Sequence, residues 1–425
     1  MKMARSPEPR KSEMRQTLSR LAQVHSVPDD DISIPTPSLA ERDRRYRAVR
    51  KAMAKQGIDV LVLPANHSRW DQMMADSRYL SAIGSYGTET LTIFPAEGDV
   101  TVGIFNRCGW WKKVQNWVTD VRDCRNRWAD LVIERLGEIG FPPRGRIGIC
   151  GMEGLVRAPD GLVPYTMIKR IKAAYPEAHI VDATGLMQDI RAIKSAEEIR
   201  LMTRSVVIIE TMLAAMTAET AAGVSEKHLY ATLTNTLLEA GGELPSLLIM
   251  GSGPNLNTGQ FVPTERKLRK GDVVHVEAEA HYCGYSGQIV QSVSVGKPPG
   301  AYADAHEISE ACFDALLPRM KTGTPIGALM DFYERMIQKE GKGRLAHAHP
   351  MMHARGLGDE RPAQFGDVGL EQYRRIELKS GMVFVLKPRV RNLQARRTGQ
   401  TGDTVVVTPK GGRRLGSRDM GLWIV

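Results

Sequence analysis

Between Gly271 and Gly296 the chain reads GDVVHVEAEAHYCGYSGQIVQSVSVG, a stretch whose β-branched residues predict two strands joined by a short turn at Gly284-Tyr285. Val273, Val274 and Val276 supply the first strand and Ile289, Val290, Val293 and Val295 the second. Strand side chains alternate faces, so His275, Glu277, Glu279 and His281 project to one side. Such a face is ordinarily solvated, because burying two carboxylates and two imidazoles is costly unless each finds a partner.

Upstream, Ser38 with Glu41 forms a capping-box pattern that predicts a helix through Lys55, stopped by Gly57. Strands follow at 58–63, 91–94, 100–105, 146–150 and 179–181, with helices at 128–136 and 165–174. This alternation predicts an α/β domain over about 40 to 185. Ser195 and Glu198 cap a long helix carrying Ile199, Met202, Val206, Ile209 and Met212 at helical spacing. More helices are expected from Ser225 to Leu238, at 303–320 and at 326–339. The last third is strand-rich, at 382–386, 404–408 and 422–425. Residues 1 to about 40, punctuated by five prolines, read as an arm with one short helix near Met14 to Val24.

Composition narrows the class. The 425 residues exceed one ordinary core, and 42% hydrophobic with 25% charged content is that of a soluble globular chain of two or three domains. No apolar run approaches the roughly 20 residues a membrane span needs, and no apolar segment follows the basic amino terminus, so neither membrane nor secretory signal is expected. Five scattered cysteines without metal spacing suit reduced thiols in a cytoplasm. The net charge of +10 is dispersed among acids, which argues against a nucleic-acid partner and reads as a solvated basic surface, with the steering of an anionic substrate or product as the alternative.

Six segments in order (RAIKSAEEIRLM, NLNTGQFVPTERKLRKGDVV, EAEAHYCGYSGQIVQS, MMHARGLGDERP, LKSGMVFVLKP and GDTVVVTPKGGRRL) resemble the pita-bread family of creatinase, prolidase and aminopeptidase P. The resemblance implies an α/β N-terminal domain over 41–188, after an arm at 1–40, and an α+β pita-bread domain over 189–425 with a curved antiparallel sheet backed by helices. It also implies a homodimer whose partner N-terminal domain helps close the site. The family's peptidases hold two divalent metals through Asp, Asp, His, Glu and Glu. Those positions fall here on Glu277, Gln288, His353, Lys387 and Gly402, and a further substrate histidine falls on Gln260.

One carboxylate cannot neutralise two dications, so the expectation is no metal and no other cofactor. Lys387 is expected to pair with Glu277 or Glu279 and to supply a fixed positive charge. His353, Glu277, Glu360 and Lys387 are the expected catalytic residues; Gln288, Gln260, Glu279, Arg355, Arg389 and Trp70 are expected to bind substrate. Trp110, Trp111, Lys112 and Lys113 are ordinary packing candidates, with stacking on substrate as their alternative. Read without the family, HAHPMMH suggests a single metal held among His275, His281, His347, His349 and His353. The function this predicts is metal-independent hydrolysis of a C–N bond (amide, amidine or ureido) in a small polar metabolite. Alternatives are a lyase that abstracts a proton from a small carboxylate, a non-catalytic binding protein on a peptidase scaffold, and a metal-dependent Xaa-Pro peptidase.

Overall fold

The computed structural model describes residues 34–65, 74–85, 87–154, 158, 160–244, 247–253, 262–341, 343–348, 352–363 and 373–425. The expected Met14–Val24 helix, Trp70, Gln260 and His349 lie outside the described residues, and His347 is described only as a strand position.

The N-terminal part opens with helix α1 (Leu39–Gln56), followed by β1 (Val60–Ala65), α2 (Ala75–Ser81), β2 (Thr90–Pro95) and β3 (Thr101–Ile104). Then come α3 (Cys108–Val114), β4 (Asp120–Asp123), α4 (Trp128–Glu138), β5 (Arg146–Ile149), α5 (Tyr165–Ala174) and β6 (His179–Asp182). The strands form one mixed six-stranded sheet in the order β4-β3-β2-β1-β5-β6. Ser38 Oγ caps α1 by accepting the Glu41 N–H at 3.1 Å. The expected capping box is only half made. The Glu41 carboxylate is taken by Arg44 and Arg45, and the Ser38 N–H goes to Glu197 at 2.6 Å. A cap thereby became a contact between the two halves of the chain. Trp111 is buried in this domain's core, as ordinary packing predicts.

Helix α6 (Thr184–Ala192) leads into α7 (Ala196–Glu219), where the Ser195–Glu198 capping box is complete. Among the described residues α7 is the helix long and apolar enough to cross a membrane. Its apolar stripe (Leu201, Met202, Ile208, Ile209, Met212) is nonetheless buried in the protein core, and Glu197, Glu198 and Arg200 occupy its first turns. After α8 (Glu226–Glu239) come β7 (Leu248–Gly253), β8 (Val273–Tyr282) and β9 (Tyr285–Ser294). The β8–β9 turn is Cys283-Gly284, one residue earlier than expected. Both residues have positive φ (52° and 78°), which matches the right-handed twist of a two-residue hairpin.

Helices α9 (Gly300–Leu316) and α10 (Ile326–Gly341) precede β10 (Leu345–Ala348), β11 (Met352–Arg355), β12 (Asp359–Ala363) and β13 (Val383–Leu386). The chain ends with β14 (Arg389–Asn392), β15 (Arg397–Gln400), β16 (Asp403–Thr408), β17 (Gly411–Arg414) and β18 (Trp423–Ile424). Three further sheets result, ordered β18-β9-β8-β7, β12-β11-β13-β16-β17 and β10-β14-β15. An antiparallel bridge between Val290 and Gly402 stitches the first of these to the second. One face of β8 and β9, including Val274, Val276, Ala278, Ala280 and Ile289, belongs to the same apolar core as α7. The polar residues of β8 therefore point the other way, toward β11 and β13. Helices α2, α3 and α6 and strands β4, β7, β10, β11, β12, β14, β15 and β17 were not anticipated. They are short, so packing had to supply what periodicity did not.

Candidate active site

The polar face of β8 is buried, against the ordinary expectation for such a face. His275, Glu277, Glu279 and His281 are all under 7% exposed. The two carboxylates are each met by a cation from outside β8. The Lys387 ammonium, just after β13, donates to Glu277 Oε1, and Gln288 Nε2, directed from β9, donates to the same oxygen. One strand position further on, Arg355 of β11 donates to Glu279 Oε1, and His281 Nε2 lies 3.7 Å from Glu279 Oε2. The expected Lys387 pairing thus resolves to Glu277, with Glu279 served by Arg355.

Burial alone would raise the Glu277 carboxyl. The Lys387 ammonium outweighs it, assisted by His353 and Arg389, and brings the group down to about 2. Glu277 is therefore an anion at any working pH and a weak base. A general base works best with its pKa near the operating pH, a condition Glu277 does not meet. His353 is buried on β11, opposite Val385 of β13. Gln288 Oε1 is buried and accepts no hydrogen bond among the described residues, although the amide's nitrogen is bound. A buried acceptor left open in this way is a place for a ligand N–H or a water.

Arg389 follows Lys387 by two residues, and its Nε donates to Gln400 Oε1 at 3.3 Å. Beyond it lies a polar chain that sequence reading missed. His275 Nδ1 is 3.1 Å from Ser292 Oγ, which is 2.8 Å from the Tyr302 hydroxyl. His306 of α9 packs beside the Tyr302 ring. Burial pushes His275 to about 4, partly offset by Glu277, and burial does the same to His306, so both imidazoles are neutral near pH 7. Ser292 and Tyr302 had no sequence signal as site residues, being one more serine on a strand and one more aromatic on a helix.

Glu360 stands apart from this group. Its Oε1 accepts from Arg191 at 2.8 Å and its Oε2 from Lys194, while Arg191 also binds Asp76 at 2.8 Å. Both Glu360 oxygens are thus engaged by cations from the α6–α7 junction. The signal for this cluster was present in RAIKS, two cations flanking apolar residues just before a helix cap, and it was read only as a helix start.

The five positions at which the resemblance places metal ligands do converge. Their chemistry is one carboxylate already paired to an ammonium, one amide, one imidazole, one ammonium and one glycine. A Cβ on Gly402 would sit 2.6 Å from Lys387 Cβ and 2.9 Å from the Leu386 carbonyl oxygen, so the lysine strand fills the space a side chain at 402 would need. A dinuclear centre requires bridging anionic oxygens and does not fit these residues. Nor do His275, His281 and His353 make the single-metal cluster entertained above. Among the described residues, no group of three or more His, Cys, Asp or Glu side chains is placed to hold an ion.

Comparison with known proteins bears on this geometry. Residues 200–409 match the model of metallopeptidase family M24, and residues 45–193 match the creatinase/prolidase N-terminal domain. The chain belongs to the pita-bread family of creatinase, prolidase and aminopeptidase P. An Xaa-Pro dipeptidase from Pyrococcus furiosus is 25% identical over 260 residues, 60% of this chain and 72% of that protein. An Xaa-Pro aminopeptidase from Escherichia coli is 27% identical over 225 residues, half of each chain (50% and 51%). Among solved structures, an X-Pro aminopeptidase from Thermotoga maritima superposes with a TM-score of 0.74 at 20% identity, covering 89% of this chain and 99% of that one. A prolidase from Pyrococcus horikoshii OT3 gives 0.72 at 20% identity, with 89% and 99% covered. The expected α/β plus α+β pita-bread architecture is the observed one.

The expected activity needs correction. These relatives are named for peptidase action on Xaa-Pro bonds, and nothing in them supports a hydrolase of a non-peptide C–N bond or a lyase. The error came from treating the loss of metal ligands as evidence about the substrate. A ligand set reports how a bond is activated, not which bond is held. A hydrolase is the enzyme class the family supports for this chain.

Proposed function

We propose that the chain is a hydrolase of short peptides, acting on an Xaa-Pro type amide bond without a dinuclear metal centre. The observation that carries this reading is the buried Glu277–Lys387–Gln288 contact beside His353. It forms at the position where the resemblance places two dications and leaves a fixed cation in their stead. His353 takes a proton from water and returns it to the leaving nitrogen. Lys387 and Arg389 stabilise the charge that develops on the carbonyl oxygen, and the permanently ionised Glu277 fixes the ammonium in place. Gln288 Oε1 accepts an N–H of the substrate. Glu279 and Arg355 form the wall behind the site, and Glu360 positions it from the α6–α7 side. We read the enzyme as a cytoplasmic homodimer whose second N-terminal domain closes the pocket, supported by five free thiols and by the exposed Phe105 and Trp110.

The test is turnover of a panel of Xaa-Pro dipeptides by protein whose metal content is measured and then stripped by chelation. The expected result is hydrolysis that survives chelation and falls roughly 10²- to 10⁴-fold in His353→Ala. Activity that tracks two equivalents of divalent metal, or full activity in His353→Ala, overturns the reading.

A further inference from the structure

The three-stranded sheet β10-β14-β15 begins two residues beyond Lys387, and its three strands contain no acidic residue. Val390, at the centre of β14, is buried, and its cross-strand partner Gly399 lies against the backbone of α9 at His306. Cross-strand partners share a face, so Val390 and Gly399 look toward α9 while Arg389 and Arg391 share the opposite face. That second face also carries Gln400 and Thr398 of β15, both buried, and the alanine positions 346 and 348 of β10, so Arg391 is its exposed edge. Arg389 is half-buried and lies close enough to the site to help hold Glu277 ionised; Arg391 is exposed.

Exposed Arg344 and Arg396 flank the open end of the same sheet. Among the described residues, none of Arg344, Arg389, Arg391 and Arg396 has a carboxylate within ion-pair distance. Elsewhere in the molecule arginines find one readily, as Arg122, Arg191 and Arg414 do. A row of cations left unpaired along one strand, ending at a buried site, is a track for an anion.

We propose that the Arg389–Arg391 face is a subsite for an acidic peptide, binding carboxylates that extend the substrate beyond the bond attacked at the Glu277–Lys387–His353 group. This rests on the hydrolase reading above and narrows its substrate class. An extended chain advances at most ~3.6 Å per residue, so Arg389 and Arg391 stand at most ~7 and ~14 Å from Lys387. Those are the reaches of acidic groups two and four residues along an extended peptide. The occupant is therefore a peptide of at least five residues with acidic positions past the scissile bond, larger and more anionic than an Xaa-Pro dipeptide.

Calorimetric titration with two non-cleavable peptides tests this: Ala-Pro-Glu-Ala-Glu with a reduced Ala-Pro bond, and the neutral Ala-Pro-Gln-Ala-Gln analogue. Wild-type protein is expected to bind the acidic peptide about tenfold more tightly at low salt, with the difference collapsing at about 0.5 M salt. Arg391→Ala should lose about three- to fivefold of that preference, and Arg391→Glu should abolish it. Arg413→Ala, which removes one exposed charge on β17, should keep it, separating a local contact from net charge. Equal binding of the two peptides to wild type, or an Arg391→Ala variant indistinguishable from Arg413→Ala, overturns the proposal. So does a single-stranded oligonucleotide that binds through Arg391 when the acidic peptide does not. Hydrolysis of neutral Xaa-Pro peptides with no acidic preference keeps the hydrolase reading and removes this subsite. Arg391-dependent binding with no turnover of any peptide does the reverse.

Discussion

Two buried carboxylates in this protein look alike in sequence and differ in what surrounds them. Glu277 and Glu360 are each about as buried as a carboxylate can be, and each is held by lysine. Glu360 is saturated, because both its oxygens are taken and Arg191 passes the charge on to Asp76. The Glu277 cluster is unfinished. Gln288 has an open acceptor, and the Arg389 guanidinium beside it has no carboxylate among the described residues. A saturated network has nothing left to offer a ligand, and it ties the α6–α7 junction to β12. An unfinished one in the interior costs free energy in the unliganded protein, and a substrate can recover it.

Cutting the saturated cluster should produce the largest effect. Arg191→Met leaves Asp76 and Glu360 short of a cation and should destabilise the protein by roughly 3–5 kcal/mol in urea titration. A loss below about 1 kcal/mol would mean that the network is not structural, and the comparison would fail. Lys387→Met strands Glu277 in the same manner and should cost about 2–4 kcal/mol. It differs in also removing hydrolysis by about a hundredfold or more, measured at a temperature where the variant is folded. If the stability loss came with unchanged turnover, Lys387 would join Glu360 as scaffold.

Acid should find the unfinished cluster first. His275 and His306 have folded pKa values near 4, below the unfolded value of 6.5, so the unfolded chain binds their protons more readily. No penalty exists above pH 6.5; between 6.5 and about 4 stability should fall by roughly 1.4 kcal/mol per pH unit for each imidazole. Glu277 has the depressed value of about 2, so its contribution is whole above 4.5 and is lost as pH falls toward 2. His306→Asn should flatten the upper part of that curve. An unchanged slope would show that the imidazole gains protons freely in the folded state. The smallest effect belongs to Gln288→Met, which removes the open acceptor together with the amide's donation to Glu277. It should change stability by only about 1 kcal/mol while raising KM about tenfold.

Sequence reading recovered more of the frame than of the charge network. The Ser195–Glu198 cap, the bounds of α5 and the two long strands were legible because each rests on a local rule: a cap, a period of 3.6, a run of β-branched residues. The Glu277–Lys387 pair was also anticipated, although its members are 110 positions apart, because the resemblance supplied the missing geometry. The Asp76–Arg191–Glu360 network had no such guide. Its members lie 115 and 169 positions apart, and no local rule couples them. The Ser38–Glu197 contact overrode a local rule for the same reason.

What the amino-acid order settled by itself was the set of elements and the stock of charges: which stretches curl or extend, and that acids are scarce where a pair of dications would need them. Which acid meets which base, which amide oxygen is left unbonded, and whether a row of arginines finds carboxylates were decided only by the packing of four sheets. Local backbone preferences act over a few residues, whereas the energy of a buried charge depends on every group that comes within several ångströms of it. Only the folded chain fixes those distances.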